Sequence, residues 1–158
     1  MGSKKYTLEP LVDVRRDKAD AAKRELGDAI RARETKEAEL QAVRLRTLAH
    51  AGEVARTKDA ERAALDQGAL RAVDLLRQDA WQLHQERAAE ELAHRERQSA
   101  DAARGALADE DRARADTAEK LGELKVVERD RERFLEREKK VALAMEEEAA
   151  EEAWRPRS

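Results

Sequence analysis

Apolar residues recur at alternating spacings of three and four along the first part of the chain, between positions 8 and 54. This spacing keeps apolar side chains on one face of a helix, where they meet a partner helix in a coiled coil. Arg33, Lys36 and Thr47 fall on or near the series, so the contact face is imperfect. We therefore predict a long helix whose contact face is rich in alanine. The positions on that face are Leu8, Leu11, Ala19, Ala22, Leu26, Ala29 or Ile30, Leu40, Val43, Leu48 and Val54.

A second series of apolar positions runs from about residue 74 to residue 153. Its phase shifts between Leu83 and Ala93, which predicts a stutter that locally changes the supercoil. Charge pairs in the order that favours a helix, such as Glu91 followed by Arg95, support this second helix. The predicted contact positions are Leu76, Ala80, Leu83, Ala93, Ala100, Ala103, Leu107, Leu121, Leu124, Leu135, Ala142 and Met145.

No proline interrupts the chain between Pro10 and Pro156. Thr7 is a candidate N-cap for the first helix, because its hydroxyl can accept a hydrogen bond from an unpaired backbone N–H. Pro10 then lies in the first turn, where its missing N–H costs nothing. The chain therefore consists of one or two very long helices that begin near Thr7.

The best candidate for an interruption is the segment around Gly68. Glycine can end a helix in the left-handed conformation, and Asp74 can cap the helix that follows. If the chain turns there, residues whose numbers sum to about 140 face each other, and the second arm is about 20 residues longer than the first. Local chemistry alone leaves an unbroken helix open, which would dimerise in parallel as a scaffold or spacer. The predicted bounds within a single coiled-coil domain, 1–158, are a helix over about 8–65, a turn over about 66–73 and a helix over about 74–153.

The composition favours helices over a globular domain. Charged residues make up 44% of the chain and aromatic residues 3%, which leaves too few large apolar side chains for a globular core. Disorder is the rival interpretation, because the chain as a whole is strongly polar. The net charge of only −3 and the regular apolar spacing favour helices instead.

No site for catalysis, a metal or a cofactor is recognisable in the sequence. His50, His84 and His94 lack the spacing of a metal motif, and the chain has neither a cysteine nor a glycine-rich phosphate loop. Charges of both signs are interleaved, whereas nucleic-acid binding needs a basic stripe. No apolar run approaches the ~18 residues that cross a bilayer. We therefore expect a non-enzymatic protein without cofactors that neither binds nucleic acid nor inserts into a membrane.

Three segments of the chain carry distinctive motifs. Residues 6–16 read Tyr-Thr-Leu-Glu-Pro-Leu-Val-Asp-Val-Arg-Arg. In the middle, Gly68 precedes Val-Asp-Leu-Leu at 73–76 and then Trp81. An Arg/Glu-rich stretch at 128–140 precedes an acidic tail. Together these segments resemble the type III secretion stalk proteins of the YscO family, related to the flagellar export protein FliJ, which begin with an aromatic residue, Leu-x-Pro-Leu and a basic pair.

The resemblance implies an all-α fold, an antiparallel two-helix coiled-coil hairpin with unequal arms, and it favours the turn near Gly68. It also implies a protein that resembles the central stalk of rotary ATPases and sits partly within the pore of a hexameric secretion ATPase. The implied partners are that hexameric type III secretion ATPase, the export gate protein and secretion chaperones. The implied location is cytoplasmic, peripheral to the inner membrane at the export apparatus.

A basic cluster falls at the open end of such a hairpin. The expected register places Arg15 opposite the stretch around Lys125. The resemblance implies contact with the ATPase ring, where arginine can pair with a carboxylate through two hydrogen bonds. For any single residue the alternative is a solvated face balanced by its acidic neighbours. The candidate ATPase-binding residues are Leu11, Arg15, Arg16, Arg129, Arg131, Arg133, Arg137 and Lys140.

Leucines and a tryptophan concentrate around the predicted turn. Some must pack the turn, but the adjacent Leu75 and Leu76 cannot share one narrow stripe with Leu70. The set is therefore either an exposed apolar tip that docks a partner or a local cap on the hairpin. The candidate gate- or chaperone-binding residues are Leu45, Leu48, Leu70, Leu75, Leu76 and Trp81.

Overall fold

Two long α-helices account for most of the chain in a computed structural model, which describes residues 4–156. Helix α1 spans Glu9–Asp66 with 58 residues, and helix α2 spans Ala72–Trp154 with 83 residues. The two helices pack against each other, and the described residues contain no strand. The chain is therefore an all-α helical hairpin with unequal arms, and the predicted fold class is confirmed.

The turn is built on a left-handed glycine. Gly68 has a φ of +69°. Its N–H donates to the carbonyl oxygen of Leu65 at 3.0 Å, and the N–H of Ala69 donates to that of Ala64 at 3.0 Å. These two bonds form the Schellman pattern, which satisfies carbonyl groups left unpaired at the end of a helix. Gly68 therefore ends α1 in the way that the sequence predicted.

Both helix starts differ in detail from the expected caps. The carbonyl of Leu8 accepts the N–H of Val12 at 3.1 Å, so Leu8 occupies the N-cap position of α1 that Thr7 was expected to take. Asp74 lies inside the first turn of α2, where its carboxylate accepts the backbone N–H of Arg71 at 3.0 Å. Asp74 therefore acts as the acidic residue of a capping box, three residues after the N-cap, rather than as the N-cap itself.

Contacts between the two helices fix their antiparallel register. Arg15 forms a salt bridge with Glu123, two residues from the predicted Lys125. Arg44 Nε lies 3.4 Å from Glu96 Oε1. In both pairs the residue numbers sum to about 140, the value that the sequence predicted for a turn in this position.

The hairpin divides into two compact units, each of which contains part of both helices. The turn unit is Asp28–Asp111. The open-end unit consists of Met1–Gly27 and Arg112–Ser158, of which residues 4–27 and 112–156 are described.

The core of the open-end unit is small and narrow. Val12 and Ala19 of α1 are fully buried, and they pack against Leu124 and Val127 of α2. Partly buried side chains of Tyr6, Leu11 and Leu121 cover this cluster. Small residues bring the helix backbones close but contribute little buried area, so each large side chain in the cluster matters for stability.

In the turn unit, the contact face of α2 is not the one that the apolar pattern predicted. Leu76 and Leu83 were expected there but are 71% and 50% exposed. The half-buried positions that replace them include Gln78, Trp81 and Gln85. The prediction was wrong because it assigned the leucines to the contact face. In the structure, Gln78 and Gln85 occupy two positions of that face instead.

A similar offset occurs elsewhere along the hairpin. Leu107 and Leu135 were also expected on the contact face, and each is 46% exposed. The residues just before them, Ala106 and Phe134, are half-buried instead. Leu48 of α1 is 70% exposed. Apolar side chains thus lie beside the contact face as well as on it.

A stutter lies in α2, in the interval where the sequence predicted a phase shift. The half-buried positions Gln85, Ala88, Leu92 and Glu96 follow one another at spacings of three, four and four. Consecutive spacings of four break the heptad alternation and give an eleven-residue repeat, which locally reduces the left-handed supercoil.

Within residues 4–156, the last part of α2 has no partner helix. Glu9, at the start of α1, already contacts Arg131, and residues 139–154 of α2 are all exposed. Ala142 and Met145, which the sequence placed on the contact face, belong to this overhang. No helix in the described part of the chain is long and apolar enough to cross a membrane.

Candidate functional site

Two of the predicted ATPase-binding arginines hold the open end of the hairpin together. The guanidinium of Arg15 pairs with Glu123, and both side chains are about one-third exposed. Arg131 Nε donates to Glu9 Oε2 at 2.8 Å. Each pair joins α1 to α2, so these arginines are committed to contacts within the chain.

Two further predicted residues at this end are also partly engaged. Arg16 Nη2 lies 3.6 Å from Glu128 Oε1, a longer contact with both side chains well exposed. Leu11 is half-buried and packs against the core cluster around Val12. Leu11 therefore contributes to the core of the open-end unit and offers little surface to another protein.

The four remaining predicted cations form a continuous exposed stripe on α2. Arg129, Arg133, Arg137 and Lys140 follow one another at spacings of four, four and three, which places them along one side of the helix. No ion pair within residues 4–156 uses any of them, although Arg137 Nε donates to the carbonyl oxygen of Arg133 at 3.3 Å. We call these four residues the basic stripe.

A shallow groove of about 350 Å³ lies along the basic stripe. Arg133, Arg137 and Lys140 line it together with Asp130 and Glu136. The groove is open and polar, so it presents cationic side chains to a passing surface and does not enclose a small molecule. Such a surface is suited to the carboxylates of another protein.

An aromatic clasp holds Tyr6, which precedes α1, on α2 beside this stripe. The hydroxyl of Tyr6 donates to Asp130 Oδ2 at 2.6 Å. The rings of Tyr6 and Phe134 lie with centroids 5.4 Å apart and planes tilted by 49°, a favourable arrangement for two aromatic rings. The hydrogen bond to Asp130 raises the pKa of Tyr6 to about 12.

Sequence reasoning did not identify this clasp. A signal was present, because the single tyrosine and the single phenylalanine of the chain have numbers that sum to 140. That is the register predicted for facing residues, so Phe134 was identifiable as the partner of Tyr6.

The structure separates the predicted tip residues into different environments. Leu70 is half-buried in the turn. Leu45 and Leu48 of α1 are 58% and 70% exposed, and Leu75 and Leu76 of α2 are 44% and 71% exposed. Adjacent leucines point to different sides of a helix, so these side chains do not form one compact patch.

Trp81 belongs to a groove between the helices of the turn unit. The groove has a volume of about 380 Å³ and is lined largely by apolar atoms, with Val54 and Ala55 of α1 opposite Trp81 of α2. His50 Nε2 lies 2.8 Å from Gln85 Oε1 beside it. The groove exists because the alanines around the half-buried Trp81 have small side chains that leave the space between the helices unfilled.

Among the described residues, charged or polar side chains are buried in the contact face at two levels. In the turn unit, Arg33 pairs with Glu110, which is 4% exposed, and also with Glu37 at 2.7 Å. Hydrogen bonds to Glu37 and Glu110 raise the pKa of Arg33. The sequence placed Arg33 near the contact face but missed its buried partner, because acidic residues are too abundant to single out one.

At the second level, in the open-end unit, Thr117 is 7% exposed. Its hydroxyl lies 3.1 Å from the carbonyl oxygen of Ala22 on α1 and 2.8 Å from that of Ala113 on α2. Polar groups buried in a coiled-coil contact face fix its register, at a cost in stability.

The described residues contain no group of three or more histidine, cysteine or acidic side chains placed to hold a metal ion. No family model matches the chain, and neither a curated protein nor a solved structure matches it.

Proposed function

We propose that the chain is a non-enzymatic central stalk of a bacterial type III secretion export apparatus. In this role it binds the hexameric secretion ATPase and couples it to the export gate at the membrane, and it escorts secretion chaperones. Its place is cytoplasmic, peripheral to the inner membrane. The proposal rests on the motif at residues 6–16 and on one structural observation. That observation is the exposed basic stripe, which lies on α2 beside the residues that Tyr6 of the motif contacts.

The motif and the stripe have complementary roles in this proposal. Tyr6, Glu9 and Arg15 bind α2 and align the two helices at the open end. The basic stripe remains exposed on the outer side of α2. The arginines that hold the hairpin together and those that meet the ATPase are therefore different residues. This narrows the candidate contact from eight residues to Arg129, Arg133, Arg137 and Lys140.

The chemistry of the stripe specifies its partner. Guanidinium groups pair with carboxylates through two parallel hydrogen bonds, so the contacting surface of the ATPase subunits carries Asp or Glu side chains. Charge pairs at an exposed interface are screened by salt over about 8 Å at physiological ionic strength. Binding should therefore weaken as the salt concentration rises.

The gate and the chaperones are assigned to the other unit. Leu45, Leu48 and Leu76 are the most exposed of the candidate leucines there. Exposed leucines of this kind act as anchors for a partner's apolar surface. The parallel dimeric scaffold, the alternative function, needs an unbroken helix, whereas this chain turns at Gly68.

The test measures binding and ATP hydrolysis with the purified ATPase of the same secretion system. We expect the chain to co-sediment with the ATPase and to raise its rate of hydrolysis. The variant R129E/R133E/R137E should weaken binding at least tenfold, since three favourable contacts become repulsive. A matched variant in the turn unit, R46E/R77E/R87E, reverses three exposed arginines and should bind as the wild type does.

Different results would contradict the proposed function and the assignment of the contact to the basic stripe. Circular dichroism first shows that both variants keep the helical content of the wild type. A wild-type chain that neither co-sediments with the ATPase nor changes its rate contradicts the proposed function. Equal binding by the wild type and the stripe variant contradicts the assignment of the contact to the basic stripe.

A further inference from the structure

One flank of the turn unit is apolar beyond what a two-helix hairpin needs. The groove beside Trp81 is lined by Ala51 of α1 and Ala89 of α2. Fourteen residues further toward the turn, on the same sides of their helices, lie Leu65 of α1 and Leu75 of α2, 51% and 44% exposed. We call this surface the apolar flank. It comprises Ala51, Ala55 and Leu65 of α1 with Leu75, Trp81 and Ala89 of α2.

The opposite flank of the same unit is charged. The corresponding positions on that side include Arg46 and Glu53 of α1 and Arg77 and His84 of α2, all of them polar. A coiled coil of two helices needs only a narrow apolar stripe, whereas helices in a bundle carry a third apolar position in each heptad. On this flank the third position is apolar at Ala51, Leu65, Leu75 and Ala89 and polar between them, at Lys58 and Gln82. The flank therefore presents two apolar patches that can pack against further helices.

The charged residues on the α1 and α2 sides of the apolar flank, which we call its edges, have opposite signs. On the α1 side Lys58 lies in the row of Ala51 and Leu65, and Arg62 lies in the row of Ala55. On the α2 side lie Asp79 and Glu86, and all four charged side chains are exposed. Lys58 and Glu86 line the groove directly, and Glu86 also accepts a hydrogen bond from Gln82 at 3.2 Å. A surface with one basic edge and one acidic edge is complementary to a copy of itself, provided that α1 meets α2 of the copy.

We propose that the apolar flank is a self-association surface on which a second copy of the chain docks its own apolar flank, forming a four-helix bundle. The two-fold axis runs along the hairpins, so both turns lie at the same end and every neighbouring pair of helices is antiparallel. A two-fold axis across the hairpins would instead bring the basic edges of both copies together, which charge repulsion disfavours.

The register within the chain specifies the contacts in this dimer. His50 contacts Gln85, so Lys58 lies at the level of residue 77, within one helical turn of Asp79. In the dimer Lys58 therefore meets Asp79 of the second copy. By the same register Leu65 lies at the level of residue 70, about 7.5 Å along the hairpin from Leu75, so the two leucines are neighbours across the axis without lying directly opposite each other. All of these contacts lie within the turn unit, so self-association at this surface does not depend on the proposed secretion function.

Sedimentation equilibrium of the full chain over a wide concentration range tests the proposal. The wild type should shift from the mass of one chain to the mass of two. Leu75→Glu should raise the dissociation constant by at least tenfold. The neighbouring change Leu76→Glu is the control, because Leu76 is 71% exposed and lies on the outer side of α2, away from the flank. A wild type that stays monomeric overturns the proposal and would mean that the apolar flank binds a helix of another protein. An equal rise of the dissociation constant in both variants overturns the assigned surface.

A charge exchange tests whether Lys58 and Asp79 meet between chains. Lys58→Glu alone and Asp79→Lys alone should each weaken self-association about tenfold, because two symmetric pairs become repulsive. An equimolar mixture of the two variants should recover wild-type association, since both pairs in the mixed dimer again join opposite charges. Both variants change exposed residues, and circular dichroism verifies that they fold. A mixture that associates no better than either variant alone overturns the pairing.

Discussion

Val12 provides the sharpest test of the packing, because it is the largest fully buried side chain in the described part of the chain. Val12→Ala removes two methyl groups from the contact between α1 and α2. Burial of apolar groups contributes about 0.8 kcal/mol for each carbon removed, or about 1.6 kcal/mol here. The cavity left behind adds about 1 kcal/mol, and the better helix propensity of alanine returns about 0.5 kcal/mol.

The expected cost of Val12→Ala is therefore about 2 kcal/mol in the free energy of unfolding. Val14, two residues away on the same helix, is 48% exposed and is the matched control. Val14→Ala loses little burial and gains helix propensity, so its effect should lie within about 0.5 kcal/mol of zero. Urea unfolding followed by circular dichroism measures both differences.

A second pair of valines repeats the comparison on α2. Val127 is 8% exposed and belongs to the same cluster as Val12, whereas Val126 is 68% exposed. Val127→Ala should cost about as much as Val12→Ala, and Val126→Ala should cost almost nothing. Because Val12 and Val127 share one cluster, their double variant should depart from additivity by at least about 0.5 kcal/mol. Equal costs for the buried and the exposed valines would refute the assigned register of the open-end unit.

Gly68→Ala should destabilise the hairpin by about 1 kcal/mol, because an alanine at a φ of +69° is strained. Gly105→Ala, which has open space for the new side chain, should instead stabilise α2 by about 0.5 to 1 kcal/mol. Thermal unfolding measures both changes, and a reversed order would show that the turn is not built on Gly68. The tyrosinate absorbance of the single tyrosine should titrate near pH 12 rather than its usual 10.0, because the pKa of Tyr6 is raised by its bond to Asp130, and Asp130→Ala should return it toward 10.0. Since the folded pKa is the higher one, the stability that this bond contributes is complete below pH 10.0 and is lost as the pH rises toward 12; an unchanged titration in the variant would argue against the bond. Truncation after Lys140 should leave the unfolding temperature unchanged, because residues 141–154 are all exposed, and a marked fall would mean that the overhang packs on the hairpin.

The overall architecture was readable from the sequence because its signals are local or periodic. The alternating apolar spacing identified α1, and the left-handed preference of glycine made Gly68 the best candidate for an interruption. The choice of a turn over an unbroken helix came from the resemblance to the secretion stalk proteins. Once the turn is fixed, the antiparallel register follows by counting, which is why Arg15 was expected within two residues of its observed partner Glu123.

The contact face of α2 near the turn was not readable in this way. Leu76 and Leu83 form a regular apolar series, but they lie on the outer side of the helix, while Gln78 and Gln85 face α1. Hydrophobicity alone cannot distinguish a contact face from an apolar outer surface when both occur on one helix. The stutter between Gln85 and Glu96 adds a change of phase that an average over the whole helix hides.

The candidate site was predicted as a region but not residue by residue. The basic residues at 129–140 are similar in sequence, yet Arg131 pairs with Glu9 while Arg133 is exposed. Two residues correspond to about half a helical turn, so the register decides which side each side chain occupies. Composition reports the number of charges, and only the packed helices show which ones remain available to a partner.

Site-specific photo-crosslinking to the secretion ATPase tests the central claim most directly. A photo-reactive amino acid replaces Glu136, an exposed residue that lines the groove beside the basic stripe, and in a separate chain it replaces Leu83 in the turn unit. The proposed function predicts a covalent product with an ATPase subunit from position 136 and none from position 83. A product from position 83 alone, or from neither position, would contradict it.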